Sequence, residues 1–195
     1  MSSLSTLLLF VKTIFCTIAI LASVTRGNSQ TCLPGGITFT TQEQIDAFPS
    51  MYSGCIQILG DVIINGNSSN IVNLNGLSQL TSIMGSLNIE NTSDLTSVSG
   101  INNLTSVGGA IYISANAGLN MNSAMNSLAT LGGSLTISNN GIVTLGGFGA
   151  LTSIGGSIFI ASNNKKEANY NLTISFATAS FPSIFTWMIY CPDAN

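Results

Sequence analysis

One short phrase returns along the chain at a nearly constant spacing. It reads Gly-Ser-Leu-Asn-Ile where it begins at Gly85, and further copies begin at Gly60, Gly109, Gly133 and Gly156. Successive leading glycines are thus roughly two dozen positions apart throughout. A repeat of this length is typical of a solenoid in which each repeat forms one coil. We therefore expect a mainly β, parallel β-solenoid of about five coils.

Apolar residues alternate with a variable residue inside each copy. The apolar pairs are Val62/Ile64, Leu87/Ile89, Ile111/Ile113, Leu135/Ile137 and Ile158/Ile160. Such alternation predicts a short strand with one buried face. Asparagines follow the strands, and they predict tight corners with left-handed backbone and with side chains that hydrogen-bond between coils. These asparagines are Asn65, Asn91, Asn116, Asn139, Asn140, Asn163 and Asn164.

The second half of each repeat has an apolar residue at every third position. The apolar residues are Leu74, Leu77, Leu80 and Ile83, then Val98, Ile101, Leu104 and Val107, then Leu145, Phe148, Leu151 and Ile154. The third repeat departs from this three-residue periodicity at Asn122, although Met121, Met125, Leu128 and Leu131 keep most of it. We expect looser packing around Asn122.

The composition excludes several classes of function. Charged residues make up 6% of the chain, and there is no Lys or Arg between Gly27 and Asn164. Binding to nucleic acid or to an anionic membrane needs such cations, so neither is expected of the folded part. The chain also has no histidine, which removes the usual general base and nearly every catalytic zinc site.

The acidic residues do not form a convincing catalytic or metal site either. Asp61, Glu90 and Asp94 are the only acids on the repeats, and no cation lies near them in sequence. A carboxylate-based enzyme would need a denser cluster. The sequence therefore predicts no enzyme, no cofactor and no metal site.

Residues 1–27 have the layout of a secretory signal peptide. An apolar run of about a dozen residues follows Lys12 and ends at Thr25-Arg26-Gly27, which is too short to span a bilayer comfortably. A retained membrane anchor is the alternative. We expect cleavage between Ser23 and Gln30, no membrane span in the mature chain, and a secreted or cell-surface protein.

Removal of the leader leaves three cysteines. In a secreted chain, Cys32 and Cys55 predict a disulfide at the start of the domain. Cys191 is then an odd thiol that is free, pairs with another chain, or reflects an incomplete C-terminus. Between the first two, Thr40 to Glu43 carries a capping-box pattern that predicts a short helix to about Phe48, ended by Pro49. This helix is a candidate cap over the first coil.

The cysteine pair around a short helix, followed by repeated Leu-Thr-Ser-Ile/Val-x-Gly-Ser-Leu-x-Ile units, resembles the receptor L domain family. That resemblance covers residues 32–164 and implies a right-handed, leucine-rich-repeat-like β-helix, as in the ectodomains of insulin and EGF receptors. Related repeats occur in bacterial and fungal surface proteins. The chain shows no cysteine-rich module, second L domain or kinase, so hormone-receptor activity does not transfer to it.

The repeated phrase that begins with glycine is absent from residues 165–195. Leu172, Ile174 and Phe176 alternate like a strand, and an aromatic-rich stretch follows from Phe181 to Tyr190. A last coil with a cap, a lipid-anchor signal and a truncation from a longer repeat protein all remain open.

The variable strand positions form the candidate binding site. Five residues occupy them: Ile63, Asn88, Tyr112, Thr136 and Phe159. Three of these are large and apolar or aromatic, which would suit an extracellular protein or glycan partner, although β-propensity alone also favours such residues on a sheet. We expect a non-catalytic recognition module; a structural surface or wall protein without a specific ligand is the alternative.

Two further patterns bear on function. Thr81, Thr105 and Thr152 fall in register, which would suit ice binding, but a simple preference of threonine for sheet surfaces also accounts for them. Four N-glycosylation sequons begin at Asn67, Asn91, Asn103 and Asn171, and they have meaning only in a eukaryotic source.

Overall fold

The structure is a computed structural model that describes residues 30–67, 70–121, 125–142, 145–163, 174–176 and 187–190. Its described part is mainly β, with one α-helix and two short 3₁₀ helices. The α-helix α1 is Gln42–Met51, and the 3₁₀ helices are Asn75–Leu77 and Ser99–Ile101. The predicted leader, residues 1–27, and Cys191 lie outside the described residues.

Fifteen strands are described. In chain order they are β1 Gln30–Cys32, β2 Ile37–Phe39, β3 Cys55–Ile58, β4 Val62–Asn65, β5 Ser82–Ile83, β6 Leu87–Glu90, β7 Ser106–Val107, β8 Ile111–Ser114, β9 Thr130–Leu131, β10 Leu135–Ser138, β11 Leu145–Phe148, β12 Ser153–Ile154, β13 Ile158–Ala161, β14 Ile174–Phe176 and β15 Trp187–Tyr190.

These strands form two long parallel sheets and a small one. The seven-stranded sheet has the order β15-β13-β10-β8-β6-β4-β2, and the six-stranded sheet has the order β1-β3-β5-β7-β9-β12. The strands of the repeated phrase pair residue for residue, so that Leu87 pairs with Ile111 and Ile111 with Leu135. Each of these strands thus lies beside its counterpart one repeat away. The expected mainly β, parallel architecture is confirmed.

The apolar residues of both halves of the repeat form one buried core. Every apolar residue of the alternating pairs, and every one of those at each third position, is buried, with at most 2% of its surface exposed. Met121, Met125, Leu128 and Leu131 of the third repeat are equally buried. Asn122 lies outside the described residues, so looser packing around it stays a prediction.

A buried ladder of amides follows the seven-stranded sheet. The Asn116 side chain donates to the Ile89 carbonyl at 2.9 Å and to Asn140 Oδ1 at 3.0 Å. Asn140 repeats both bonds one repeat later, to the Ile113 carbonyl and to Asn163 Oδ1, each at 3.0 Å. At the other end, the Thr92 hydroxyl and backbone N–H both donate to Asn116 Oδ1. The predicted hydrogen bonding between repeats is therefore present.

The asparagines divide between two positions of this corner, which the sequence did not distinguish. The residue before each ladder position has a positive φ: 55° at Asn91, 58° at Ala115, 56° at Asn139 and 52° at Ser162. Asparagine tolerates this left-handed backbone better than most residues, and Ala115 and Ser162 adopt it as well. Asn65 belongs to neither position, because it lies within β4, where its side chain accepts from the Asn67 N–H.

Helix α1 differs from its prediction at both ends. Thr41 is the N-cap and shares a capping box with Gln44, so the cap lies one residue later than Thr40 and Glu43. The helix also continues to Met51 with Pro49 inside it. Pro49 cannot donate to the Ile45 carbonyl. A Cβ on Gly76 would overlap that same carbonyl oxygen, so the helix packs directly against the first 3₁₀ helix.

Several contacts join α1 to the neighbouring repeat. Gln42 Oε1 accepts from the N–H groups of Val72 and Asn73 at 2.9 and 3.2 Å. Ile45 and Phe48 are buried, and the Phe48 ring meets the Phe39 ring edge to face with centroids 5.8 Å apart.

Cys32 and Cys55 form the predicted disulfide, with their Cα atoms 5.8 Å apart. None of the helices within the described ranges is long and apolar enough to span a bilayer.

The corner after the six-stranded sheet is built differently. Gly108, Gly132 and Gly155 follow β7, β9 and β12, and a Cβ on Gly132 would overlap the carbonyl oxygen of Gly108. The repeats therefore approach too closely here for a side chain directed along the stack. Leu59 and Met84 take the same place in the earlier repeats, and their side chains are exposed.

Candidate binding surface

The five predicted site residues occupy one line across the seven-stranded sheet. Each is the second residue of its strand, between two buried apolar residues. Their backbones pair in the order Ile63, Asn88, Tyr112, Thr136 and Phe159. Adjacent members are therefore one strand spacing apart, about 4.8 Å. We call this set the seven-strand column.

The seven-strand column faces solvent. Tyr112 and Phe159 expose 37% and 36% of their surface, and the other three members are half-buried. The two aromatic residues are separated by Thr136, so they stand two strands, or about 10 Å, apart. Each ring can therefore contact a partner without being covered by the other.

Sequence reasoning missed the two ends of this line. Thr38 of β2 pairs with Ile63 and is exposed, and Met188 of β15 pairs with Phe159. A signal for Thr38 was present, because Gly35 precedes Gly60 by one repeat length and begins an earlier, degenerate copy of the phrase. No such signal marks β15, which lacks the leading glycine and begins further along the chain than one repeat length after β13.

The outward residues of the six-stranded sheet have a different character. Gln57, Ser82, Ser106, Thr130 and Ser153 pair in register, and we call them the six-strand column. All five are polar, and four of them carry a small hydroxyl side chain. The two sheets bury the same kinds of residue but present different ones to solvent.

Two acidic residues lie near the seven-strand column. Asp61 immediately precedes β4, and its Oδ1 accepts from the Ser86 N–H at 2.7 Å. Glu90 ends β6 and pairs with Asn65 and Ser114. Among the described residues, no three His, Cys, Asp or Glu side chains come together as a metal ion would require. The five members of the seven-strand column themselves carry only apolar or neutral polar side chains.

The register threonines bond to the backbone of the preceding repeat. The Thr81 hydroxyl donates to the Ile56 carbonyl at 3.1 Å, and that of Thr105 donates to the Thr81 carbonyl at 2.9 Å. Thr152 does the same with the Ala129 carbonyl at 3.1 Å. Hydroxyls used in this way stabilise the stack, which favours a structural role over ice binding.

The repeats also match a known family. The family model of the receptor L domain matches residues 54–144, which include β3 to β10 and all but one residue of the seven-strand column. This stretch, slightly less than half of the chain, is therefore similar to the receptor L domain family. The chain matches none of the curated proteins and none of the solved structures with which it was compared. The predicted resemblance to this family is thus confirmed for residues 54–144, a shorter range than the predicted 32–164 that leaves out Cys32 and helix α1.

The similarity of residues 54–144 to the receptor L domain suggests a ligand-binding extracellular module. The disulfide between Cys32 and Cys55 favours the same location, because disulfides persist in oxidising compartments. Neither observation names a ligand. Binding of a ligand by the seven-strand column stays a prediction.

Proposed function

We propose that this protein is a non-catalytic, secreted or cell-surface recognition module that binds an extracellular protein or glycan through the seven-strand column. The observation that carries the proposal is the exposure of Tyr112 and Phe159 on an in-register sheet face. Aromatic side chains provide large contact areas at low cost in conformational entropy, and they dominate many binding surfaces.

The proposal extends to the architecture behind that surface. We take residues 32–164 as a right-handed β-helix of about five coils, after a signal peptide over residues 1–27. Helix α1 closes its first coil, which the burial of Ile45 and Phe48 supports. Within residues 165–195, strands β14 and β15 extend the stack, because β14 pairs with β11 and β15 pairs with β13.

Charge limits the class of partner. An anionic ligand would find no Lys or Arg between Gly27 and Asn164 to pair with, and Asp61 and Glu90 would repel it. The proposed ligand is therefore a neutral glycan or a protein surface that is neutral or cationic.

The test is a binding screen against a neutral-glycan array and an array of secreted proteins. Tyr112→Ala and Phe159→Ala are expected to weaken a reproducible interaction at least tenfold each, because each removes a contact worth about 1.4 kcal/mol or more. Thr130→Ala and Ser153→Ala, on the six-strand column, are the matched controls and should leave affinity unchanged. Equal losses from both columns would contradict the proposed site.

A structural surface or wall protein is the second candidate. The uniform, in-register stacking of the repeats favours it, since a regular stack also serves as a rigid spacer. No ligand on either array, together with retention of the protein in the wall or surface fraction, would favour this candidate.

A further inference from the structure

The solvent-facing residues along the line of the seven-strand column alternate in character from one repeat to the next. Starting at β2, the paired residues are Thr38, Ile63, Asn88, Tyr112, Thr136 and Phe159. Polar residues occupy every second strand, and apolar or aromatic residues occupy the strands between them. The alternation ends at Met188 of β15. Core packing does not require this order, because these side chains point away from the core.

The period of this alternation is two strand spacings, or about 10 Å. Because the column runs across the strands, this is also the distance between equivalent side chains along the length of the stack. A partner that makes the same contact with Tyr112 and with Phe159 must therefore present equivalent groups about 10 Å apart.

Peptide partners do not have this period. Side chains on one face of a β-strand recur every two residues, about 6.6 Å apart, so they fall out of register with the column. An amphipathic α-helix presents apolar side chains at nearly every turn, about 5.4 Å apart. Such a helix would place an apolar group opposite Thr136 as well as opposite the two aromatic residues.

We propose that the occupant of the seven-strand column is an extended, uncharged β-linked glucan chain of the cellulose type, which lies along the stack with one sugar on each repeat. Each sugar of such a chain advances by close to one strand spacing, and successive sugars are turned over, so every second sugar presents the same face. The apolar faces of two such sugars contact Tyr112 and Phe159, and the sugar between them lies over Thr136. This inference rests on the proposed function, because it names the ligand class of the same site.

Serine hydroxyls beside the column suit a sugar. The residue two positions before each column member shares its outward face. Ser86 and Ser134 hold this place in the polar repeats, and their Oγ atoms accept from the N–H groups of Ala110 and Ser157, each at 3.1 Å. A hydroxyl also has one hydrogen to donate and a second lone pair. Sugar hydroxyls donate and accept in the same way, which favours a glucan over a chain with acetamido groups.

The aromatic residues have space around them for an uncharged chain. Each ring has only small neighbours on the outward face of its own strand: Ala110 and Ser114 beside Tyr112, and Ser157 and Ala161 beside Phe159. No charged residue lies in β8, β10 or β13. A neutral glucan therefore meets neither a bulky side chain nor an unpaired charge between the two rings.

The first test measures the length of glucan that the wild-type protein recognises. Isothermal titration calorimetry compares soluble cello-oligosaccharides from the disaccharide to the hexasaccharide. Three sugars are needed to reach from Tyr112 to Phe159, so affinity should rise about tenfold or more from the disaccharide to the trisaccharide. Malto-oligosaccharides of equal length, whose α-linkage curves the chain, should bind about tenfold more weakly or worse. Equal affinity for the two lengths, or for the two linkages, would overturn the inference.

The second test moves one ring. The double variant Thr136→Tyr/Phe159→Thr keeps two aromatic side chains on the column but places them one strand spacing apart. It should bind the cello-hexasaccharide about tenfold more weakly than the wild type, as should Phe159→Ala. Thr130→Ala, on the six-strand column, is the matched control and should leave the affinity unchanged. Wild-type affinity of the double variant would show that the spacing does not matter and would overturn the inference. The length series uses only the wild-type chain, so it decides the question even if a variant fails to fold.

Two further outcomes separate this inference from the proposed function. If oligosaccharides of N-acetylglucosamine bound in place of cello-oligosaccharides, or if a protein bound and lost affinity on Tyr112→Ala, the column would remain a binding site but the glucan would be wrong. If no cello-oligosaccharide bound, the inference would also fail. The proposed function fails only if neither array yields a ligand whose affinity depends on Tyr112 or Phe159.

Discussion

The two long sheets are alike inside and different outside. Toward the core, both place fully buried aliphatic side chains in register, such as Ile113 in β8 and Leu131 in β9. Toward solvent, the six-strand column has small polar residues, whereas the seven-strand column includes Tyr112 and Phe159. Packing dictates the inner residues, but nothing in the stacking requires aromatic residues on one outer face only. The difference between the solvent-facing residues of the two sheets is therefore the feature that indicates a function.

The largest expected effect tests whether the two inner faces are equivalent. Ile113→Ala and Leu131→Ala should each lower the free energy of unfolding by about 2–5 kcal/mol, because each leaves a cavity in a closely packed core. Urea unfolding followed by circular dichroism measures both. If one variant lost less than about 1 kcal/mol, the two sheets would not share one core, and the comparison would fail.

A somewhat smaller effect should distinguish the corners at which the sheets end. Asn116→Ala removes the amide that joins three consecutive repeats and leaves buried backbone groups without their partners. We expect a loss of about 2–3 kcal/mol in the same unfolding experiment.

The matched control for the ladder is Asn139→Gly. Asn139 occupies the exposed left-handed position next to the ladder, with a φ of 56°, and glycine accepts that backbone without strain. Its expected change is within about 0.5 kcal/mol. A larger loss at Asn139 than at Asn116 would show that corner geometry, and not the amide ladder, holds these repeats together.

The smallest effect concerns the threonines beside the six-stranded sheet. Thr105→Ala should destabilise by about 1 kcal/mol, since its hydroxyl donates to the Thr81 carbonyl. Ala129 lies one repeat later, where its N–H donates to the Thr105 carbonyl, but it has no hydroxyl. Ala129→Thr should therefore stabilise by about 0.5–1 kcal/mol. Opposite shifts in the thermal midpoint are expected, and shifts of the same sign would contradict the structural role of these threonine hydroxyls.

Much of the fold could be predicted because the pattern of the repeated phrase determines it. The constant spacing of the glycines and the alternation of Leu87 and Ile89 were sufficient for the parallel sheets, the core and the register of the seven-strand column. The copy led by Gly35 was missed because its neighbours in sequence resemble the phrase only weakly. The pairing of β15 could not be inferred, because neither its spacing nor its composition follows the repeat.

Local details were harder to predict where tertiary contacts override a local preference. Proline usually ends a helix, yet α1 continues past Pro49 because the buried Ile45 and Phe48 hold its last turn against the stack. The role of each asparagine was likewise undetermined. Asn91 and Asn116 are the same residue type, yet Asn91 has a φ of 55°, whereas the buried Asn116 follows the left-handed residue Ala115.

The register of the strands also constrains how such a chain can change in length. Leu87, Ile111, Leu135 and Ile158 align one above another across four repeats. A single inserted residue would turn every following side chain of its strand from the interior to water. Removal of a whole unit of about 24 residues would instead bring equivalent partners together again. Related chains should therefore differ in length by complete units, and such a protein can be shortened or extended without the design of any new contact.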